Sequence, residues 1–361
     1  MSMDLFTPVV PEERFHPAFQ KILRRPTSPD RIVLNRWAEG FVDRDGKFVK
    51  EFQTTFDSSF WELYLHAMFK ELGMVCDYQW PRPDFCIESP TPFMVEATVS
   101  LQAQGAPAML GANPLDMPKE FAEFNRQAII RFSNSLHAKY KKYVAHYSRL
   151  AHVSGRPFVV AIAPFDRPHF QLQAERAVEA VLYRYYVDED AHRRKYPDGG
   201  VPLFAEELPH VLKDNGQPLP LGAFCDASMA GISAVIQSTA ATWSKVRAMS
   251  DDPNVMITAI YENRDQGGTF YYDGPNSRYS EDILDGLRIY HNPYATRPLA
   301  PSLFDRPEIF QATLKGPLRL ILMNDCRKNL VNRMAITCSP AKMQQVLARM
   351  PPGENYWHYP S

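Results

Sequence analysis

Apolar residues recur at three- and four-residue intervals from Phe56 to Leu72, and the rest of the chain is easiest to place around that stretch. Phe60, Leu63, Tyr64, Ala67, Met68 and Leu72 form one stripe, which predicts a helix. Asp57, Ser58 and Ser59 offer N-cap oxygens, and Gly73 is a natural stop just past the last apolar position. Met74–Trp80 mixes apolar and polar residues and predicts a first strand. Asp84 follows Pro83 at the entrance of Phe85-Cys86-Ile87, where a proline costs no ladder hydrogen bond. Ser89-Pro90-Thr91-Pro92 is a turn, and Phe93–Val99 is strongly β-prone. The predicted unit is a helix followed by a β-hairpin.

Upstream, residues 1–30 are proline-rich and predict an irregular arm. Ile32–Val42 and Lys47–Thr55 flank the turn signal Asp43-Arg44-Asp45-Gly46, and together predict a β-hairpin leading into the helix. Downstream, Gln102–Asn113 is a Gly/Ala/Pro loop. Pro118–Leu150 predicts one long helix. Its apolar stripe is Ile129, Phe132, Leu136, Tyr140, Tyr143, Tyr147 and Leu150, and a different face carries Arg131, Ser135, Lys139 and Lys142. Solvated charge is the common reading of such a face. The run PFVVAIAPF, between Gly155 and Asp166, predicts a strand buried on both faces.

Further on, Gln171–Val187 reads as helical and Tyr196–Leu221 as a long loop. Gly231–Ser238 and Val255–Tyr261 read as strands with a helix at Thr239–Met249 between them. Gly267–Pro301 reads as a second long loop, Leu318–Met323 as a late strand, and Pro340–Arg349 as a helix capped by Ser339. This order predicts an α/β fold around one mixed sheet. The expected organisation is an arm and hairpin over residues 1–55, a core over 56–265 with a loop-rich insertion near 190–222, and an extension over 266–361.

Composition removes several classes. A formal charge of -1 with 22% charged residues gives no global basic field, so nucleic-acid binding requires a local patch. Five cysteines without CxxC spacing argue against a disulfide framework or a zinc site and fit a reducing cytoplasm. No apolar run is long enough to span a bilayer and no N-terminal signal-like run is present, so no membrane partner is expected. The phosphate-loop, dinucleotide, HExxH and GxSxG motifs are absent.

Glu96 breaks the pattern. A carboxylate in the middle of an apolar strand costs several kcal/mol unless it is paired or bound to a metal. Asp84 lies on the preceding strand and can face it across the pair. No basic residue lies between the two, and a hard cation such as Mg²⁺ relieves both the burial and the repulsion.

Pro83-Asp84 followed by Glu96-Ala97-Thr98, after a helix bearing Glu62, resembles the core of the PD-(D/E)XK nuclease superfamily over about residues 58–165. The resemblance implies a restriction-endonuclease-like α/β/α core and a nuclease acting on DNA, with RNA second. It implies Asp84 and Glu96 as ligands of Mg²⁺ or Mn²⁺, the carbonyl of Ala97 as a further ligand, and Glu62 as the supporting acid. Thr98 departs from the pattern, standing where that family carries a lysine. The helix after the acidic strand packs beside the site in that family, so Lys139 or Lys142 is expected to supply the cation.

The alternative is a catalytically inactive nuclease-like fold that binds nucleic acid or protein. A structural subunit of a larger assembly would instead expose an apolar-aromatic surface near 270–300, and a homo-oligomer is open under either reading. Plainer readings stand beside these. Ser59 to Glu62 also fits a capping box, and His66, one turn after Glu62, also fits a structural histidine.

Overall fold

Strands with apolar residues on both sides need cover on both sides, and here helices supply it. The computed structural model describes residues 3–23, 29–100, 118–197, 201, 203–263, 268–326, 328–349 and 357–358. Eight strands lie side by side in the order the chain makes them: β1 (Val75–Cys76), β2 (Phe85–Ser89), β3 (Phe93–Val99), β4 (Phe158–Ala163), β5 (Ala234–Gln237), β6 (Leu287–His291), β7 (Ile309–Leu314) and β8 (Leu320–Leu322). Strands β1 to β3 are successively antiparallel, and β3, β4 and β5 run parallel. Strand β6 opposes β5, β7 runs parallel to β6, and β8 opposes β7.

Side chains alternate across this sheet. Phe85, Ile87, Phe93, Val95, Ala97 and Val99 pack into a cluster with α1 (Pro17–Leu23), α2 (Pro29–Ala38), α3 (Phe48–Thr54) and α4 (Phe56–Glu71). Cys86, Met94, Val160 and Ile162 pack on the other face with α5 (Phe121–Ala145) and α6 (Arg176–Tyr183). The expected mixed α/β architecture around one large sheet is present, as three layers. Among the described residues no helix is long and apolar enough to cross a membrane.

Helix α4 is nearly all buried and is fixed to the sheet where the Trp61 indole N–H donates to the carbonyl of Ala161 at 3.1 Å. It ends as its sequence predicts: Gly73 takes φ +68°, its amide donates to Lys70 and that of Met74 to Phe69. The helix begins at Phe56, so Ser59 lies inside it and is buried, which removes the capping-box role for Glu62.

The N-terminal hairpin is not formed. Residues 29–54 contain α2 and α3 instead, because Val33, Leu34, Trp37 and Ala38 bury one helical face. The Asp43–Gly46 turn leads into α3 rather than closing a hairpin: the Asp43 carboxylate accepts from the amides of Lys47 and Phe48 at 3.1 and 3.0 Å. Nor is the arm irregular throughout. It contains α1 and is held by buried Gln53, which donates to the carbonyl of Thr7 and accepts from the amide of Val9.

Other elements are shorter than predicted. Only Val75–Cys76 of the first strand pairs, α5 ends at Ala145, and α6 covers part of Gln171–Val187. The two long loops contain strands. Within 196–221, Glu206–Glu207 pairs with Tyr185–Tyr186, and His210–Leu212 pairs with Pro218–Pro220. Within 267–301 lie Thr269–Pro275 and β6. Strand β6 hides behind its polar residues. Buried Arg288 donates to the Thr239 hydroxyl at 3.2 Å, and His291 pairs with the Gln311 side chain at 3.0 Å. The predicted Gln102–Asn113 loop lies outside the described residues.

A second sheet orders Lys328–Thr337, Val255–Asn263, Thr269–Pro275 and Trp357–His358. A dry charge cluster ties it to the first layer. Lys245 donates to Glu281 at 2.7 Å and Arg333 to the same carboxylate at 2.6 Å, with all three side chains shut off from solvent. Lys245 belongs to the short helix Trp243–Ala248, whose Trp243 packs on Phe56 and Phe60 of α4.

Candidate active site

The register of β2 on β3 pairs Phe85 with Val95 and Cys86 with Met94, so Asp84 stands opposite Glu96 one step further along. Cys86 and Met94 face α5, and by alternation so do Asp84 and Glu96. An Asp84 oxygen accepts from the amide of Ala97 at 2.7 Å, which fixes its carboxylate beside the acidic strand. Glu96 is 1% exposed. Its Oε1 accepts from the Lys139 and Lys142 ammonium groups, each at 2.9 Å, and from the Tyr147 hydroxyl at 3.3 Å. Its Oε2 is buried with no hydrogen-bond partner among the described residues.

Both lysines come from one helix face. Their three-residue spacing on α5 puts them on adjacent turns. The aromatic and aliphatic stripe of α5 packs on the sheet and turns that face toward Glu96. Arg131, earlier on the helix, acts electrostatically on Asp214 of the insertion instead.

Glu62 and Asp84 hold their protons tightly. Burial pushes Glu62 up to about 8, with the Asp84 and Glu51 charges adding and Arg44 and Lys139 opposing. Burial and the Glu96 charge push Asp84 up to about 6, against Lys139, the Ala97 amide and Lys142. For Lys142, burial works against the charge, but hydrogen bonding to Glu96 and Tyr147 outweighs it and raises the affinity for the proton. Glu62, on α4, therefore feels the cluster through space. Among the described residues no three His, Cys, Asp or Glu side chains are grouped to hold one ion, and Glu62 is linked to the pair through the charges of Asp84 and Lys139.

Two participants have no sequence signal of their own. Arg44, from the turn before α3, donates to the carbonyls of Trp80, Pro83 and Asp84 at 2.5, 3.2 and 3.0 Å and so holds the segment carrying Asp84. Tyr147 reads as one more stripe residue, yet its hydroxyl reaches Glu96. Thr98 lies two residues beyond Glu96 on the same side and is half-buried. His66 does not reach the acids. Its ring is held by the Glu39 carbonyl at 3.1 Å and the Tyr78 hydroxyl at 2.8 Å, and burial lowers its pKa.

No family model, no curated protein and no solved structure matches the chain.

Proposed function

We propose that this chain is a metal-dependent phosphodiesterase of the PD-(D/E)XK kind, acting on DNA. The observation that carries this reading is the Asp84–Glu96 pair across β2 and β3, with Lys139 and Lys142 on one Glu96 oxygen and the other buried and unpartnered. A buried carboxylate oxygen without a donor is costly, and a cation relieves it. The order helix, antiparallel strands, long helix, parallel strand over Phe56–Ala163 also supports the restriction-endonuclease-like reading.

Asp84, Glu96 and the Ala97 carbonyl would hold Mg²⁺ or Mn²⁺, with Glu62 as a more distant acid acting on bound water. Such a cation supplies Lewis acidity toward the phosphate and a water that ionises near neutral pH. The protein's own part is the cation and its support. Lys139 and Lys142 stabilise the negative charge that grows on the phosphate oxygens, the role Thr98 cannot fill. Tyr147 donates to Glu96, the carboxylate that holds both lysines, and the Ala97 amide fixes Asp84 beside it. RNA, whose backbone carries the same phosphodiester, is the second candidate substrate.

A second reading is an inactive nuclease-like module that binds nucleic acid or protein. It is favoured by Thr98, which stands where the resembled family carries a lysine. Incubation with plasmid, linear and single-stranded DNA and with RNA, in Mg²⁺, Mn²⁺ or EDTA, separates the two. Cleavage that EDTA stops supports the enzyme. No cleavage, with no heat of Mn²⁺ binding by calorimetry, supports the module.

A further inference from the structure

We infer that the Trp80–His152 pair is a stacking shelf beside the acid pair, and that the substrate presents an unpaired base there. The inference rests on the nuclease reading above and adds the strandedness of the nucleic acid. The two rings stack at 4.2 Å between centroids and within 5° of parallel, yet Trp80 remains 39% exposed. One ring face is closed by His152, so the exposure lies on the rest of the indole.

This tryptophan is held rather than free. Arg44 donates both to the carbonyl of Trp80 and to that of Asp84, so one guanidinium ties the shelf to the acid. His152 is anchored in turn by the Arg82 carbonyl at 2.8 Å. Five residues before His152, Tyr147 touches Glu96, so both halves of the shelf are joined by short chain segments to the carboxylate pair.

The surroundings suit a polyanion. Arg82, Lys141, Lys142 and Arg149 are exposed on the same two segments. An aromatic face on segments that also carry cations suits a single strand: charge tracks the phosphates, and every base offers a π-face to stack. In a duplex the base faces are already stacked and cannot use the shelf.

The test is fluorescence anisotropy in EDTA, which prevents turnover, with a fluorescein-labelled 12-nucleotide dT strand and the same strand paired to dA. Wild type is expected to bind the single strand at least about 10-fold more tightly than the duplex. Trp80→Ala should lose about 10-fold in single-strand affinity with the duplex value unchanged, and Trp80→Phe should restore most of it. Melting curves establish that each variant is folded. Equal losses on both strands, or no loss, overturn the shelf. If Trp80→Ala has no such effect while wild type still cleaves DNA with Mn²⁺, only this inference falls. If wild type neither binds nor cleaves either form, the nuclease reading falls with it.

Discussion

Glu62→Gln should stabilise the protein at high pH and leave it nearly unchanged at low pH. The ordinary carboxyl value is 4.5, and burial with the Asp84 charge raises Glu62 to about 8 in the folded chain. A raised folded value means the native state holds the proton more tightly. Its stability contribution is complete below the unfolded value and is lost as pH rises through the folded one. At pH 7.5 the full shift corresponds to a penalty of about 4 kcal/mol. Glu62 keeps some contact with solvent, so screening reduces this to about 2 kcal/mol. Glutamine has the same shape and no charge, and so removes the penalty. For a chain of 361 residues that is a rise in Tm of about 2–3 °C at pH 7.5–8, shrinking to below about 1 °C at pH 5. Thermal melts of both proteins in EDTA across this range measure it. A stability difference independent of pH, or a less stable variant at pH 8, would refute the reasoning and mean that Glu62 is a favourable ion-pair partner, with Arg44 and Lys139 the candidates.

Lys139→Ala or Lys142→Ala should lower the cleavage rate by at least about 100-fold in single-turnover assays, with little change in DNA affinity. A lysine that only anchors phosphate would instead weaken binding and reduce its salt dependence. Lys245→Met should cost about 1–3 kcal/mol in chemical denaturation, since Arg333 still pairs with Glu281 but buried Glu281 and the carbonyls of Asp282 and Asp285 lose a donor. A loss below about 1 kcal/mol would mean that the cluster opens to water.

The central elements are legible in the sequence because local pattern and tertiary burial agree there. The stripe from Phe60 to Leu72 and the β-prone run Phe93–Val99 are α4 and β3. The three-residue spacing of Lys139 and Lys142 puts them on one face of α5, and both reach Glu96. Reading fails where one residue serves two masters. Asp43-Arg44-Asp45-Gly46 has the letters of a hairpin turn, but Asp43 binds the amides at the start of α3 and Arg44 reaches across to Asp84. Strand β6 is concealed because Arg288 and His291 look like loop residues until Thr239 and Gln311 satisfy them inside the sheet. Glu62 precedes the acids in the expected order, and its carboxyl feels the charges of Asp84 and Lys139.

Plasmid cleavage by wild type and Glu96→Gln, each with Mn²⁺ and with EDTA, tests the central claim most directly. The substitution keeps the side chain's shape and removes the charge that Lys139 and Lys142 share. Wild type is expected to cut supercoiled plasmid, or circular single-stranded DNA incubated in parallel, only with metal, and Glu96→Gln, folded by its melting curve, is expected to cut neither. Cleavage by wild type in EDTA, equal cleavage by the folded variant, or no cleavage of either DNA by wild type with metal would contradict this reading.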